Sequence, residues 1–463
     1  MPRGDPDMAI WQWQELAALG QTSITDGPNI EGICIDSRQV SAGDLFIALS
    51  GDPGPKYNSS IENPRDGHDF IPGALRGGAA AVMLSTVPAD ADFPYLKVDN
   101  TLDGLWALGQ AARQRCSGQI VVITGSAGKT TARSWLMQCL DEQFAVHGSI
   151  GSLNNHWGVP LSLSRMPARS EVGIFEIGTN HSGEISPLSN LVRPNISMLL
   201  NVLPAHIGNF ESLQALELEK RCIADGLDAE GKFILPVELA TDDSRQVTFG
   251  LDTAADVSAS YEVTADGWLV TAKVQGTPVT YTLGSGGEHR VLTSLAVLAA
   301  ADILGADLSK VAARFLVLDT PVGRGNECKV GDITVIDDSY NANPVSMQYA
   351  MDALLQRPGR KIAILGEIME LGDHAADYHR EISTGFAEYD QVITVGAGFA
   401  ATPGQQHFDS TAEIDVRVLV ASLRPNDTIL VKGSNRVFWV NGFVDTLVKS
   451  LDGRLQNDKP ENE

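Results

Sequence analysis

The segment Thr124-Gly125-Ser126-Ala127-Gly128-Lys129-Thr130-Thr131 is the part of this chain best suited to chemistry. Gly125 and Gly128 let the backbone approach a phosphate closely. N–H groups at a helix start, with the helix dipole behind them, attract the negative charge. Lys129 is placed to neutralise the β- and γ-phosphates, and the Thr130 hydroxyl to reach a Mg²⁺ ion. The context agrees with this reading. The buried-strand run QIVVITG comes before, and an amphipathic helix pattern follows from Thr130, with Leu136, Leu140 and Phe144 on one face. Ile123 stands where the first glycine of G-x-x-x-x-G-K-[ST] would be, so the loop is the shorter G-x-x-G-K-T form. Alone it signals a nucleotide without separating a kinase, an ATPase and a ligase. No G-x-G-x-x-G supports a dinucleotide fold here.

The elements that must position this loop fall into three regions. Residues 1–105 carry short strand runs at Gly32–Ile35, Leu45–Leu49 and Ala80–Leu84, and a Gly/Pro/Asn-rich loop from Gly51 to Gly67. Residues 106–321 begin at the phosphate-loop strand and continue with VGIFEIG and ISMLLNV. Strand then helix, repeated, implies a mostly parallel sheet covered by helices. Between Val247 and Leu283 the pattern turns to alternation, which reads as a small antiparallel insert. Residues 322–463 hold four further strand runs, DITVIDDS, KIAILGE, QVITVGA and DTILVKGS, spaced by helix lengths. The fold class is therefore α/β in three domains.

Composition narrows the partners. The 463 residues carry 34 Lys plus Arg against 58 Asp plus Glu, a net charge of −24. That excludes a general nucleic-acid coat, which needs a basic surface, but not a local anion site. The five cysteines are scattered with no C-x-x-C, disfavouring a zinc ribbon or disulfide framework. No apolar run of membrane-spanning length and no signal-peptide core occurs, so a soluble cytoplasmic protein is expected.

Further segments carry a resemblance. GSLNNHWGVP, FEIGTNHSGEI, NVLPAHIGNF and LEKRCIADGL follow the loop, then IDDSYNANPVSM, ILGEIMELG and ILVKGSNR, with IDSRQVSAGDLFIAL and DGHDF near the start. In this order and spacing they resemble the Mur ligase family over nearly the whole chain. The resemblance implies an N-terminal domain for a UDP-sugar, a central P-loop-type ATPase and a Rossmann-like C-terminal domain. It implies an ATP- and Mg²⁺-dependent ligase that joins UDP-N-acetylmuramoyl-tripeptide to D-alanyl-D-alanine through an acyl phosphate; a monomer with hinged interdomain linkers is expected. A sister ligase adding a diamino acid would be expected to carry D-N-P-R in the last domain. The only similar string, Glu62-Asn63-Pro64-Arg65, lies in the first. A folate-branch ligase would lack the UDP-binding domain.

Residue by residue, the resemblance gives Lys129 the phosphates and gives Thr130 and Glu176 the first Mg²⁺. His206 aligns with a ligand of a second metal. Lys220 aligns with a lysine that family members carbamylate. As a plain lysine in a charged helix, it would default to pairing with Glu217. Arg324 matches an arginine that reaches the ATP phosphates, and Asp338 an aspartate that holds the ribose, beside the like-charged Asp337. Ser37, Arg38 and His68 are the UDP-side candidates, although Arg38 equally suits a salt bridge to a nearby aspartate. Asn154 and Asn155 match a substrate-side pair, with Asn180 and His181 at the same cleft. Tyr340, Asn341 and Asn343 are placed on the acceptor side, and Lys432 and Arg436 suit the dipeptide carboxylate by charge. Two departures stand out. Arg290 and Thr293 replace the two asparagines of G-x-H-N-x-x-N, leaving Arg290 to stack on adenine instead, and the Gly51–Gly67 loop is longer than usual. The first departure also motivates a rival, a catalytically silent Mur-like nucleotide-binding protein.

Overall fold

The computed structural model describes residues 9–50, 65–264, 267–284 and 287–457. Most of the Gly51–Gly67 loop, with Glu62, Asn63 and Pro64, lies outside the described residues, as does the end of the chain from residue 458. Three sheets account for the three regions. The first runs Gln21–Thr22, Tyr95–Lys97, Ala81–Leu84, Asp44–Ile47, Gly32–Cys34, parallel apart from its first pair. Helix Thr101–Arg115 spans the expected boundary at residue 105. Its Leu102, Leu105 and Leu108 pack on the first sheet, while Trp106 also meets the central core.

The central sheet has nine strands. The phosphate-loop strand Gln119–Thr124 lies between Val172–Glu176 and Ile196–Leu199, both parallel to it. The chain passes from this strand to Val146–Gly148 on one side and later crosses from Val172–Glu176 to Ile196–Leu199 on the other, which makes its carboxyl end the crevice where α/β sheets bind ligands. Its run Ile120, Val121, Val122 and Ile123 is wholly buried because helices cover both faces. Helices Lys129–Leu140 and Glu288–Ile303 pack on one face, and Gly158–Ser164 and Ile185–Val192 on the other. The helix after the loop ends at Leu140, so Phe144 packs against the same core from the turn beyond it. The alternating insert is confined to Val257–Thr264, Gly267–Val274 and Thr277–Leu283. Gln246–Gly250, inside the span expected to be antiparallel, pairs parallel with Lys232–Pro236, so the insert extends the central sheet.

The C-terminal sheet has six strands, in the order Asn326–Val330, Ile333–Asp338, Thr428–Lys432, Lys361–Gly366, Gln391–Val395, Gln406–Phe408. Only its first pair is antiparallel, and apolar clusters cover both faces. The carboxyl ends of its strands face the central domain. Among the described residues no helix is long and apolar enough to cross a membrane.

Candidate active site

A cleft of about 1740 Å³ opens where the three sheets meet, lined from all three regions. At its floor the phosphate loop turns into the helix at Gly128, whose φ of +80° is the left-handed conformation that a side chain resists. Lys129 donates from Nζ to the Gly125 carbonyl at 2.8 Å. Burial pulls its pKa down, Glu176 opposes that, and Arg324 adds to it. Asn201, just past strand Ile196–Leu199, braces the loop. Its Oδ1 accepts the N–H groups of Ser126 and Ala127, each at 3.0 Å, and its Nδ2 donates to the Ala127 carbonyl at 3.1 Å. Those two N–H groups are thus already engaged. The N–H groups free of intrahelical acceptors at the helix start, through Thr131, remain for an anion. Asn201 was not singled out from sequence, although a polar residue directly after a buried strand run is the available signal.

Glu176 ends strand Val172–Glu176 and is 1% exposed. Its Oε2 accepts the Thr130 hydroxyl at 2.9 Å, and its Oε1 accepts Asn154 Nδ2 at 2.7 Å. Arg133 Nε stands 3.9 Å from Oε2 and has no hydrogen-bond partner. The guanidinium donates instead to the carbonyls of Ser149 and Gly151. A buried carboxylate and a hydroxyl at contact distance, beside a phosphate loop, form an all-oxygen donor pair suited to Mg²⁺. Among the described residues no cluster of three or more His, Cys, Asp and Glu forms.

His206 lines the cleft at φ +57°. Its Nδ1 bonds the carboxylate of Glu370, itself at φ +64°, from the C-terminal domain, and Gly208 N donates to the Glu370 carbonyl at 3.1 Å. This contact holds Glu370 below the usual carboxylate range. With Nδ1 engaged by Glu370, Nε2 is the ring nitrogen that could hold a metal ion. Lys220 is 3% exposed, and burial, with repulsion from Lys129 next in size, pushes its pKa down to about 7. It does not pair with Glu217, which holds Arg221 at 2.8 Å. The adjacent Glu219 accepts the N–H groups of Gly183, Glu184 and Ile185 and so anchors helix Ile185–Val192.

From the C-terminal domain, Arg324 lies 3.9 Å over the Tyr340 ring and donates to Ser152 Oγ at 3.2 Å. Asp338 pairs with Lys432, which is 2% exposed, at 2.6 Å. Lys432 also donates to the Asn341 carbonyl, so its charge is already committed away from a dipeptide. This ammonium makes the Asp337–Asp338 neighbourhood tolerable. Asp337 accepts from Ser339, and burial raises its pKa. Asn343 caps helix Pro344–Leu355 with its side chain, and Asn155 bonds Gly158 N in the same manner, while both line the cleft.

In the first domain, Ser37 and Arg38 line the cleft, with Arg38 exposed and paired to Asp36 at 2.7 Å. His68 is not in the cleft wall. Its Nδ1 bonds Asp66 at 2.6 Å and its Nε2 accepts Ser85 N at 3.0 Å, so the ring ties a turn to the end of a strand. Arg290 lines the cleft with its N–H groups already engaged. It is 6% exposed and donates to the carbonyls of Arg324 and Gly325. Thr293 Oγ1 donates to the His289 carbonyl. The stacked rings at this end of the cleft are His289 and Tyr349, 5.5 Å apart and 7° from parallel.

Residues 123–301 match the Mur ligase middle domain, and residues 323–435 match the Mur ligase, glutamate ligase domain. The chain is 30% identical to the UDP-N-acetylmuramoyl-tripeptide–D-alanyl-D-alanine ligase of Escherichia coli K12, over 88% of this chain and 91% of that protein. It is also 30% identical to the Bacillus subtilis 168 enzyme of the same name, over 91% and 94%. Among solved structures, MurF from Acinetobacter baumannii superposes with a TM-score of 0.81 at 27% identity, covering 95% of this chain and 99% of that one. MurF from Thermotoga maritima in complex with ADP gives 0.77 at 25% identity, covering 91% and 98%.

Proposed function

The chain belongs to the Mur ligase family, and from that premise we propose that it joins D-alanyl-D-alanine to UDP-N-acetylmuramoyl-tripeptide at the expense of ATP, in peptidoglycan precursor synthesis. The observation that carries the chemistry is the buried Thr130–Glu176 pair beside Lys129 at the mouth of the parallel sheet. In the first step a tripeptide carboxylate oxygen attacks the γ-phosphorus and ADP leaves. In the second the dipeptide amine attacks the acyl carbon, and inorganic phosphate leaves.

The first step brings two anions together inside a protein of net charge −24, so overall attraction cannot supply the binding. Lys129 and Arg324 supply fixed positive charge at the transferring group, and the helix-start N–H groups supply oriented dipoles. Thr130 and Glu176 would hold Mg²⁺, with Asn154 fixing the second carboxylate oxygen. His206 and a carbamylated Lys220 would hold a second ion. Mg²⁺ held by these residues would supply shielding of the phosphate charge. Lys220 suits carbamylation because burial leaves much of its amine neutral, and hence nucleophilic, near pH 7. The first domain, through Ser37 and Arg38, takes the UDP end of the substrate. Asp338 takes the ribose, and Asn154, Asn155, Asn341 and Asn343 line the peptide side. All five cysteines are free, as in a reducing compartment, and we place the reaction in the cytoplasm. All three regions of one chain line the cleft, and we propose a monomer.

Incubation with ATP, Mg²⁺, UDP-muramoyl-tripeptide and D-alanyl-D-alanine tests the reading. Phosphate release that requires the dipeptide, with a product of pentapeptide mass, is expected. Phosphate release indifferent to the dipeptide, or a diamino acid accepted in its place, would sink it.

A further inference from the structure

Arg290 occupies the first turn of helix Glu288–Ile303 on the central domain, yet two of its hydrogen bonds cross to the C-terminal domain. Its Nη2 donates to the carbonyls of Arg324 at 3.2 Å and Gly325 at 3.0 Å, and its Nη1 to Thr320 Oγ1 at 3.3 Å. Asp338 and Glu327 lie close enough to compensate its buried charge. Gly325 has φ +82°, and a Cβ there would stand 2.6 Å from that same Nη2, so the approach requires glycine. A single guanidinium nitrogen, Nη2, thus grips two consecutive carbonyls of the segment joining the two domains, while Nη1 holds Thr320.

The residue so gripped is the one whose side chain returns to the central domain. Arg324 leans on Tyr340, whose ring meets the edge of Trp439, and donates to Ser152 Oγ. Ser152 belongs to the loop that also gives Arg133 its carbonyl partners and Glu176 its Asn154 contact. The central domain therefore holds Arg324 at both ends, the main chain through Arg290 and the guanidinium through Ser152. We propose that Arg290 is a positioning residue that sets Arg324 toward the phosphates of ATP. This rests on reading Arg324 as a phosphate contact. A clamp on the main chain fixes the origin of a long side chain, and the entropy of ordering its guanidinium is then spent on folding and not on binding.

Equilibrium binding of a fluorescent, non-hydrolysable ATP analogue with Mg²⁺ reads this contact without any ligation. Arg290→Gln and Arg324→Gln should each weaken binding about tenfold, the scale of one charge-assisted hydrogen bond. The double variant should bind no worse than the weaker single one, because both changes remove the same contact. Arg290→Lys keeps the charge, but its ammonium ends one bond short of Nη2 and cannot hold the two carbonyls and Thr320 together, so it should behave like Arg290→Gln. It carries the cycle if Arg290→Gln fails to fold. Losses that multiply in the double variant, or wild-type binding by Arg290→Gln, overturn the positioning role. Wild-type binding by Arg324→Gln alone overturns the reading of Arg324 beneath it.

Discussion

Replacing Lys220 with methionine should make the protein more stable while destroying its activity. The side chain is 3% exposed, and its pKa falls from 10.5 to about 7, chiefly because burial penalises the ammonium. Between those two values the unfolded chain holds the proton and the folded chain does not. Stability of the native protein therefore rises with pH across that window. The penalty is fully present below about pH 7 and gone above about pH 10.5. At about 1.4 kcal/mol per pH unit, 3.5 units amount to roughly 5 kcal/mol, of which relaxation around the site leaves on the order of 2–4 kcal/mol. Methionine is apolar and of similar length, so it removes the penalty with little change in packing. For a domain of roughly 200 residues each kcal/mol moves the midpoint by about 2–4 °C. Scanning calorimetry in carbon dioxide-free buffer should find Lys220→Met melting several degrees above the native protein at pH 7, with the gap closing toward pH 10. A variant that melts lower at pH 7, or a gap independent of pH, would refute the reasoning. The same variant should show no ligation, since methionine cannot carry a carbamate.

Lys129→Ala should fold normally by circular dichroism and lose dipeptide-dependent phosphate release by at least about a thousandfold, the scale of an electrostatic transition-state contact. Glu176→Gln should raise the Mg²⁺ concentration needed for half-maximal activity about tenfold or more, while a titration shows affinity for the UDP-tripeptide unchanged. Asp338→Asn strands the Lys432 ammonium without its carboxylate. Urea unfolding should then lose about 3 kcal/mol from the C-terminal domain, and adding Lys432→Met should recover most of it.

The three sheets and the phosphate loop were legible because buried parallel strands write themselves as continuous apolar runs such as Ile120–Ile123 and Ile362–Leu365. Strands of two or three residues left no comparable run, as at Gln21–Thr22 and Tyr95–Lys97. Gln246–Gly250 was read as part of the insert because alternation reports which face is buried, not the direction of the neighbouring strand. Within the site, chemistry local in sequence was readable, as with Lys129 and Thr130. Contacts that depend on domain docking were not. Glu370 meets His206 across 164 residues, and Arg290 meets Arg324 across 34, with no periodicity linking either pair. His68 illustrates the opposite case, a histidine of suggestive type whose hydrogen bonds tie a turn to the end of a strand.

The acyl phosphate is the centre of the account, and isotope transfer tests it directly. A UDP-tripeptide carrying ¹⁸O in its terminal carboxylate, turned over with ATP and D-alanyl-D-alanine, should deliver one ¹⁸O to each inorganic phosphate released, as read by mass spectrometry. Phosphate released without label would mean that the carboxylate never bonded to phosphorus, and would contradict the mechanism.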